Sequence, residues 1–204
     1  MSHTQPTTER TINYSDDPAY WRALGQFVAQ FAGVEVAIHT FLAIQAKVSP
    51  AIGRAVFSGV RTDQAIKLIY RIWDVSGLGA GIRDEMTCVF NQLSAISTRR
   101  NLILHYGSYE TSDKGRVSST ATRATRPDSV EEFSASIATL DAMSADLDKI
   151  GLHIASITVH QNLPLRERLT HFPALADAWR YTPDRQRQSP KAERQSQQAA
   201  TPPR

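Results

Sequence analysis

Residues 21–42 read WRALGQFVAQFAGVEVAIHTFL, and their apolar side chains recur at intervals of three and four residues. This spacing aligns them along one side of an α-helix, so the segment is expected to be amphipathic and to pack against a core. Asp17 and Pro18 are typical of a helix start, with Asp as the N-cap and Pro in the first turn. The helix is expected to end near Val48, ahead of Pro50, after roughly 45 Å.

Four later segments continue the helical pattern. A short helix is predicted at residues 50–57, a third after a Thr62 cap, and a fourth over residues 82–103. A capping box at residues 129–132, SVEE, predicts the start of a fifth helix that extends to residue 157. No strand alternates with these helices, so a parallel sheet is not expected. The sequence predicts an all-α, up-and-down bundle of four to five helices.

Polar stretches divide the chain into regions. Residues 107–127 are rich in Ser, Thr and Arg, and residues 112–115, SDKG, predict a small hairpin or loop insertion after the fourth helix. The expected organisation has four parts in chain order: a disordered N-terminal segment at 1–16, a helical bundle domain at 17–162, a short C-terminal helical extension at 163–181, and a disordered basic tail at 182–204.

Composition narrows the class of protein. The chain has 204 residues, 41% hydrophobic and 21% charged, which is typical of a soluble globular protein. No apolar run reaches the ~18 residues of a membrane span, and the N-terminus lacks the apolar segment of a signal peptide. A single cysteine, Cys88, argues against a disulfide framework or a Cys-rich zinc site. The expected location is therefore the cytoplasm, with no membrane partner.

The net charge gives the folded part of the chain no broad basic field. The whole chain carries +3, and residues 182–204 alone hold five basic and two acidic residues, which is also +3. The rest of the chain is therefore neutral. Any anion-binding site on the folded part has to be a local patch.

One carboxylate interrupts the apolar stripe of the first helix. Glu35 stands where the spacing calls for an apolar residue. A buried carboxylate is costly unless it is paired. One interpretation is an ion pair with Arg71 or Arg100 on another helix. The other is a residue that orients an active-site group.

The segment richest in chemistry is STRRNLILHYGS, residues 97–108. Arg100 continues the apolar stripe of the fourth helix, so it is expected to point toward the bundle or a partner, where its guanidinium needs an acceptor. Asn101 and His105 are four apart and share a helix face. The helix is expected to end near Gly107. The structural interpretation is an arginine that bridges helices and a histidine that binds the last carbonyls.

The run Arg100-Asn101-Leu102-Ile103-Leu104-His105 resembles the R-x(4–6)-H motif of HEPN domains in its RNxxxH form. The long first helix, with Glu35 on its inner face, is similar to the opening helix of small bacterial HEPN-like proteins, and the resemblance covers residues 18–160. It implies a metal-independent endoribonuclease of a prokaryotic defence or toxin–antitoxin system, with Arg100, Asn101 and His105 as catalytic residues. The toxins paired with minimal nucleotidyltransferases carry a tyrosine two residues after the histidine, where this chain has Gly107 beside Tyr106.

The residue types fit RNA cleavage without a cofactor, because RNA carries its own nucleophile, the 2′-hydroxyl. Histidine titrates near neutral pH, so His105 can act as acid or base. Arg100 can stabilise the charge of the phosphorane, Asn101 can orient a neighbour, and Glu35 can hold Arg100, with Tyr106 in support. Using one histidine as acid and another as base requires two chains, which predicts a homodimer.

Further basic residues are candidates for RNA phosphate contacts. They are Arg99, Lys114, Arg116, Arg123 and Arg126. Besides RNA, an antitoxin or another defence protein is an expected partner. The alternative function is a non-catalytic interaction or scaffold module of the same fold, in which Arg100 and Glu35 form a structural pair.

Overall fold

The computed structural model of the chain describes residues 17–77, 80–111, 115–121, 124–125, 130–160 and 163–183. The predicted disordered N-terminal segment and nearly all of the predicted basic tail lie outside these residues. The described chain is mostly helical and also contains a small three-stranded sheet. Its α-helices are α1 (Pro18–Gln45), α2 (Pro50–Phe57), α3 (Thr62–Ser76), α4 (Ala80–Tyr106), α5 (Ile137–Val159) and α6 (Leu165–His171).

Helix α1 is the central element. It begins as predicted, because the Asp17 carboxylate accepts hydrogen bonds from the backbone N–H groups of Ala19 and Tyr20. Its apolar stripe packs chiefly against α5 and then against α3. The buried side chains of this stripe are Tyr20, Ala23, Phe27, Phe31, Val34, Ile38, Phe41 and Leu42.

An aromatic group ties α1, α3 and α4 together at one end of the core. Trp73 is 2% exposed, stacks on Phe90 with ring centres 6.2 Å apart, and meets Phe41 and Tyr70 edge-on. Its indole N–H donates to the Gln45 side chain at 2.9 Å, so its polar atom is satisfied. Burying one large apolar side chain stabilises a fold by about 1.5–3 kcal/mol, so this group is a major contributor to the core.

The sheet is formed by the part of the chain that connects α4 and α5. Strands β1 (Tyr109–Thr111), β2 (Gly115–Ser119) and β3 (Glu132–Ser134) pair antiparallel in the order β1-β2-β3. Strands β1 and β2 flank the predicted hairpin turn, whose residues 112–114 lie outside the described part. The third strand was not expected from the sequence.

The predicted start of the fifth helix is wrong. Residues 132–134 form β3, and α5 begins at Ile137. Two interactions outweigh the capping-box pattern: Phe133 is 4% exposed in the core, which an extended segment allows, and Ser136 accepts a hydrogen bond from the backbone N–H of Thr139 as the actual N-cap. Ser129 itself lies outside the described residues.

A C-terminal segment follows α5, within the predicted extension. It contains helix α6 and a 3₁₀ turn at Pro173–Ala176. Its residues Arg168 and Leu175 are buried, and Tyr181 near its end is 7% exposed. The segment is therefore part of the folded core rather than a loose appendage.

One helix among the described residues, α1, is long and apolar enough to cross a membrane by length and composition. This is weak evidence for a span, because core helices of soluble proteins share the same property, and eight of the α1 side chains are buried within the fold.

Candidate functional site

The end of α4 carries the residues that the motif singles out. The helix ends at Tyr106, and Gly107 follows in the left-handed region with φ +68°, where its N–H donates to the carbonyl of Ile103 at 2.9 Å. This is the end that the sequence predicts, because glycine adopts that conformation without strain. Asn101 and His105 are exposed on the last two turns, and Arg100 and Tyr106 are half-buried.

Arg100 leans against α1. Its guanidinium carbon lies 5.0 Å from the centre of the Phe31 ring, within range of a cation–π contact. One terminal N–H group donates to the Asn101 side-chain oxygen at 3.1 Å. The Nε atom is buried and has no hydrogen-bond partner. No carboxylate of the described residues pairs with this guanidinium, so its charge is not neutralised within that part of the protomer.

A second arginine shows how this fold satisfies a structural one. Arg168 of α6 is fully buried and donates to both carboxylate oxygens of Glu85, to the Ser156 hydroxyl at 2.7 Å and to the Leu163 carbonyl at 3.2 Å. His153 Nδ1 also lies 2.7 Å from the Glu85 carboxylate. Every hydrogen-bonding side of this guanidinium has an acceptor, unlike that of Arg100.

The ionic cluster formed by Glu85, His153 and Arg168 holds its carboxylate in the charged form. Burial raises the pKa of Glu85, but hydrogen bonds from His153 and Arg168 and the attraction of both groups outweigh burial, so the pKa is lowered. This cluster was not predicted from the sequence. The one available signal was a histidine at position 153 inside an otherwise apolar stripe, which requires a polar partner.

The proposed pairing of Glu35 is not formed among the described residues. Glu35 is half-buried and accepts a hydrogen bond from the Thr62 hydroxyl at 3.0 Å, and it makes no ion pair with Arg71 or Arg100. Thr62 was expected to cap α3, but it is the first helical residue and its hydroxyl is directed to α1 instead. Thr62 is the one hydrogen-bond partner of this half-buried carboxylate among the described residues.

His105 stands apart from Arg100 on α4. Five residues along a helix separate two side chains by roughly 140° around the axis and about 7.5 Å along it. His105 makes no hydrogen bond or ion pair with any described residue. Asn101 lies one turn before His105 on the same face and connects that face to Arg100 through its hydrogen bond.

The candidate RNA-contacting residues differ in their surroundings. Arg99 is half-buried, donates to the Tyr181 hydroxyl at 2.8 Å and lies 4.6 Å from the Phe133 ring centre. Arg116 is only 8% exposed, with its guanidinium 4.0 Å from the Tyr20 ring centre, so the expected phosphate contact by Arg116 is not supported. The other three candidates, Lys114, Arg123 and Arg126, lie outside the described residues.

Comparisons with known proteins identify no family for the chain. No protein-family model, no curated protein and no solved structure matches the chain. The described residues also contain no group of three or more His, Cys, Asp or Glu side chains placed to hold a metal ion.

Proposed function

We propose that the chain is an HEPN-like, metal-independent endoribonuclease whose active site is the end of α4. The observation that supports it best is the state of Arg100. Its guanidinium is half-buried, bonded only to Asn101, unpaired at Nε and without a carboxylate partner among the described residues. A cation in that state lacks an anion, and a phosphate of RNA is the anion that the motif resemblance suggests.

The proposed reaction is attack of the RNA 2′-oxygen on the adjacent phosphorus. The 2′-hydroxyl loses its proton to a histidine base, the phosphorus–5′-oxygen bond breaks, and a proton passes to the leaving 5′-oxygen. The products are a 2′,3′-cyclic phosphate and a 5′-hydroxyl end. His105 is the acid or base, since it is exposed to substrate and has no competing partner among the described residues.

Arg100 stabilises the transition state in this proposal. Negative charge builds on the non-bridging oxygens as the phosphorane forms, and a guanidinium that is partly shielded from water interacts more strongly with that charge. Asn101 holds one terminal nitrogen of the guanidinium. The Nε atom is buried, so phosphate oxygens would meet the terminal nitrogens. Because Arg100 and His105 diverge around the helix, we further propose that a homodimer brings His105 of one protomer toward Arg100 of its partner.

The biological setting in this proposal, a prokaryotic defence or toxin–antitoxin system with a protein partner, rests on the motif resemblance. The alternative, a non-catalytic scaffold in which Arg100 and Glu35 form a structural pair, lacks that pair within the described residues. The hydrogen bond of Arg100 goes to Asn101 of the same helix, which favours an active-site role for Arg100 over a role as a bridge between helices.

The test is cleavage of labelled RNA by purified protein in EDTA. Wild type is compared with His105→Ala and Arg100→Gln, and with the matched controls His171→Ala and Arg166→Gln, which alter exposed residues of α6. We expect cleavage by wild type and both controls and a loss of at least about 100-fold in the two site variants. Each variant is checked for its thermal midpoint and its mass in solution. Cleavage that persists in folded His105→Ala would contradict the proposal.

A further inference from the structure

A surface pocket of about 330 Å³ lies where α4, the β3–α5 junction and the C-terminal segment meet. Arg100 is not among its lining residues, and residues 180–182 form one side of it. The residues that line it are Arg99, Ser134, Ala138, Thr139, Ala142, Arg180, Tyr181 and Thr182.

The chemistry of the lining residues favours an anion. Two of them are arginines, three carry aliphatic hydroxyls, and no acidic residue is among them. Arg99 is oriented by its hydrogen bond to the Tyr181 hydroxyl and by the Phe133 ring, and it has further interactions in the chain. Arg180 is exposed, and its side chain bonds to no described residue. Arg180 is therefore the cation with donors to offer a ligand.

The backbone that carries Arg180 is firmly held although its side chain is not. Asp146 of α5 is 1% exposed and accepts the backbone N–H groups of Arg180 at 2.8 Å and of Tyr181 at 2.9 Å. Gln92 of α4 bridges the same carboxylate and the Tyr181 carbonyl, at 2.7 Å each. This network fixes the backbone position of Arg180, which lowers the entropic cost of ordering its side chain around a ligand.

Another part of the lining, at the β3–α5 junction, carries hydroxyl groups. Ser134 Oγ lies 2.9 Å from Thr139 Oγ1, and Ser136 Oγ lies 3.0 Å from the same atom. Hydroxyl protons rotate freely, so a hydroxyl that now donates to its neighbour can turn to donate to an anion. The pocket thus combines two arginine side chains with adaptable hydroxyl donors.

We propose that this pocket binds a phosphate monoester. A monoester carries a charge of about −1.5 to −2 at neutral pH, against −1 for a backbone phosphodiester, and two guanidinium groups match the larger charge. The cavity equals the liquid volume of roughly ten waters, so it admits a phosphate together with part of its attached group. The ligand is either a free sugar phosphate or the 5′-phosphorylated end of an RNA.

The first experiment measures binding of ribose 5-phosphate and of inorganic phosphate by calorimetry at low salt. We expect ribose 5-phosphate to bind wild type, and Arg180→Gln to weaken it about tenfold or more, since a charge-assisted hydrogen bond is lost. The matched control Arg166→Gln should bind as wild type does. A second variant, Ala138→Glu, adds a carboxylate to the pocket and should abolish binding, whereas Ala155→Glu on an outer part of α5 should not.

The second experiment distinguishes the two sources with uncleavable 2′-O-methyl RNA that carries either a 5′-phosphate or a 5′-hydroxyl. Tighter binding of the phosphorylated RNA, lost in Arg180→Gln, assigns the pocket to RNA ends. Binding of ribose 5-phosphate alone assigns it to a small metabolite. Failure of every monoester to bind wild type, or monoester binding that Arg180→Gln and Ala138→Glu both leave unchanged, would overturn the proposal. None of these results depends on cleavage, so the proposal and the ribonuclease function can fail separately.

Discussion

Replacing Glu85 by Gln should destabilise the protein strongly, because it removes the only carboxylate from the ionic cluster under α6. Arg168 is fully buried and directs two of its nitrogens at the two Glu85 oxygens, and the Glu85 side chain is only 7% exposed. In Gln either amide orientation turns an N–H group toward a guanidinium N–H group. The guanidinium then keeps its charge in the interior with only neutral acceptors: the remaining amide oxygen, the Ser156 hydroxyl and the Leu163 carbonyl.

The size of the effect follows from the burial. Removing one partner of a buried ion pair costs about 3–5 kcal/mol, a large part of the 5–15 kcal/mol that a domain typically has. For a chain of this size each kcal/mol lowers the thermal midpoint by roughly 2–4 °C, so Glu85→Gln should lower it by roughly 6–20 °C.

Thermal unfolding followed by circular dichroism measures this shift. The control is Asp74→Asn, which breaks the ion pair with Arg83 on the surface, where the Asp74 side chain is 59% exposed. An exposed pair contributes at most about 1 kcal/mol, so the control should shift the midpoint by less than about 4 °C. Equal, small shifts in both variants would refute the reasoning that Arg168 depends on Glu85.

Three further predictions concern pH, packing and the C-terminal segment. The lowered pKa of Glu85 contributes stability above pH 4.5, its ordinary value, which is lost as pH falls through the folded-state pKa, so the midpoints of wild type and Glu85→Gln should converge in acid. Gly53→Ala should destabilise by about 1–3 kcal/mol, because its Cβ would lie 2.8 Å from that of Ala43, whereas Gly25→Ala, with open space around it, should stabilise α1 by about 0.5–1 kcal/mol in denaturant titrations. Asp146→Ala should speed proteolysis of the C-terminal segment about tenfold or more, since three hydrogen bonds are lost; an unchanged rate would contradict the anchoring role.

The helices could be predicted where no tertiary interaction competed with the local sequence pattern. The stripe of α1 and its Asp17 cap needed no tertiary information, and α1 starts where the sequence indicates. The helix start predicted from the capping box was wrong because the strand Glu132–Ser134 pairs with β2 and Phe133 is buried in the core. A pairing between segments more than ten residues apart cannot be found in the local periodicity.

The candidate site was predictable in part for the same reason. The position of Arg100 on the inner stripe of α4 follows from helical spacing, and the guanidinium does lie on α1. The partner of Glu35 depends on how α3 approaches α1, which the sequence does not specify, and Thr62 is the partner found. The pocket beside Arg180 is formed by three segments distant in sequence, so its lining could not be expected.

The most direct test of the central claim is the chemical identity of the RNA ends produced in EDTA. Attack by the 2′-hydroxyl should yield a 2′,3′-cyclic phosphate and a 5′-hydroxyl end with wild type, and no such ends with folded His105→Ala. Intact RNA from every wild-type reaction, or ends with a 3′-hydroxyl and 5′-phosphate, would contradict attack by the 2′-hydroxyl and with it the assignment of Arg100, Asn101 and His105.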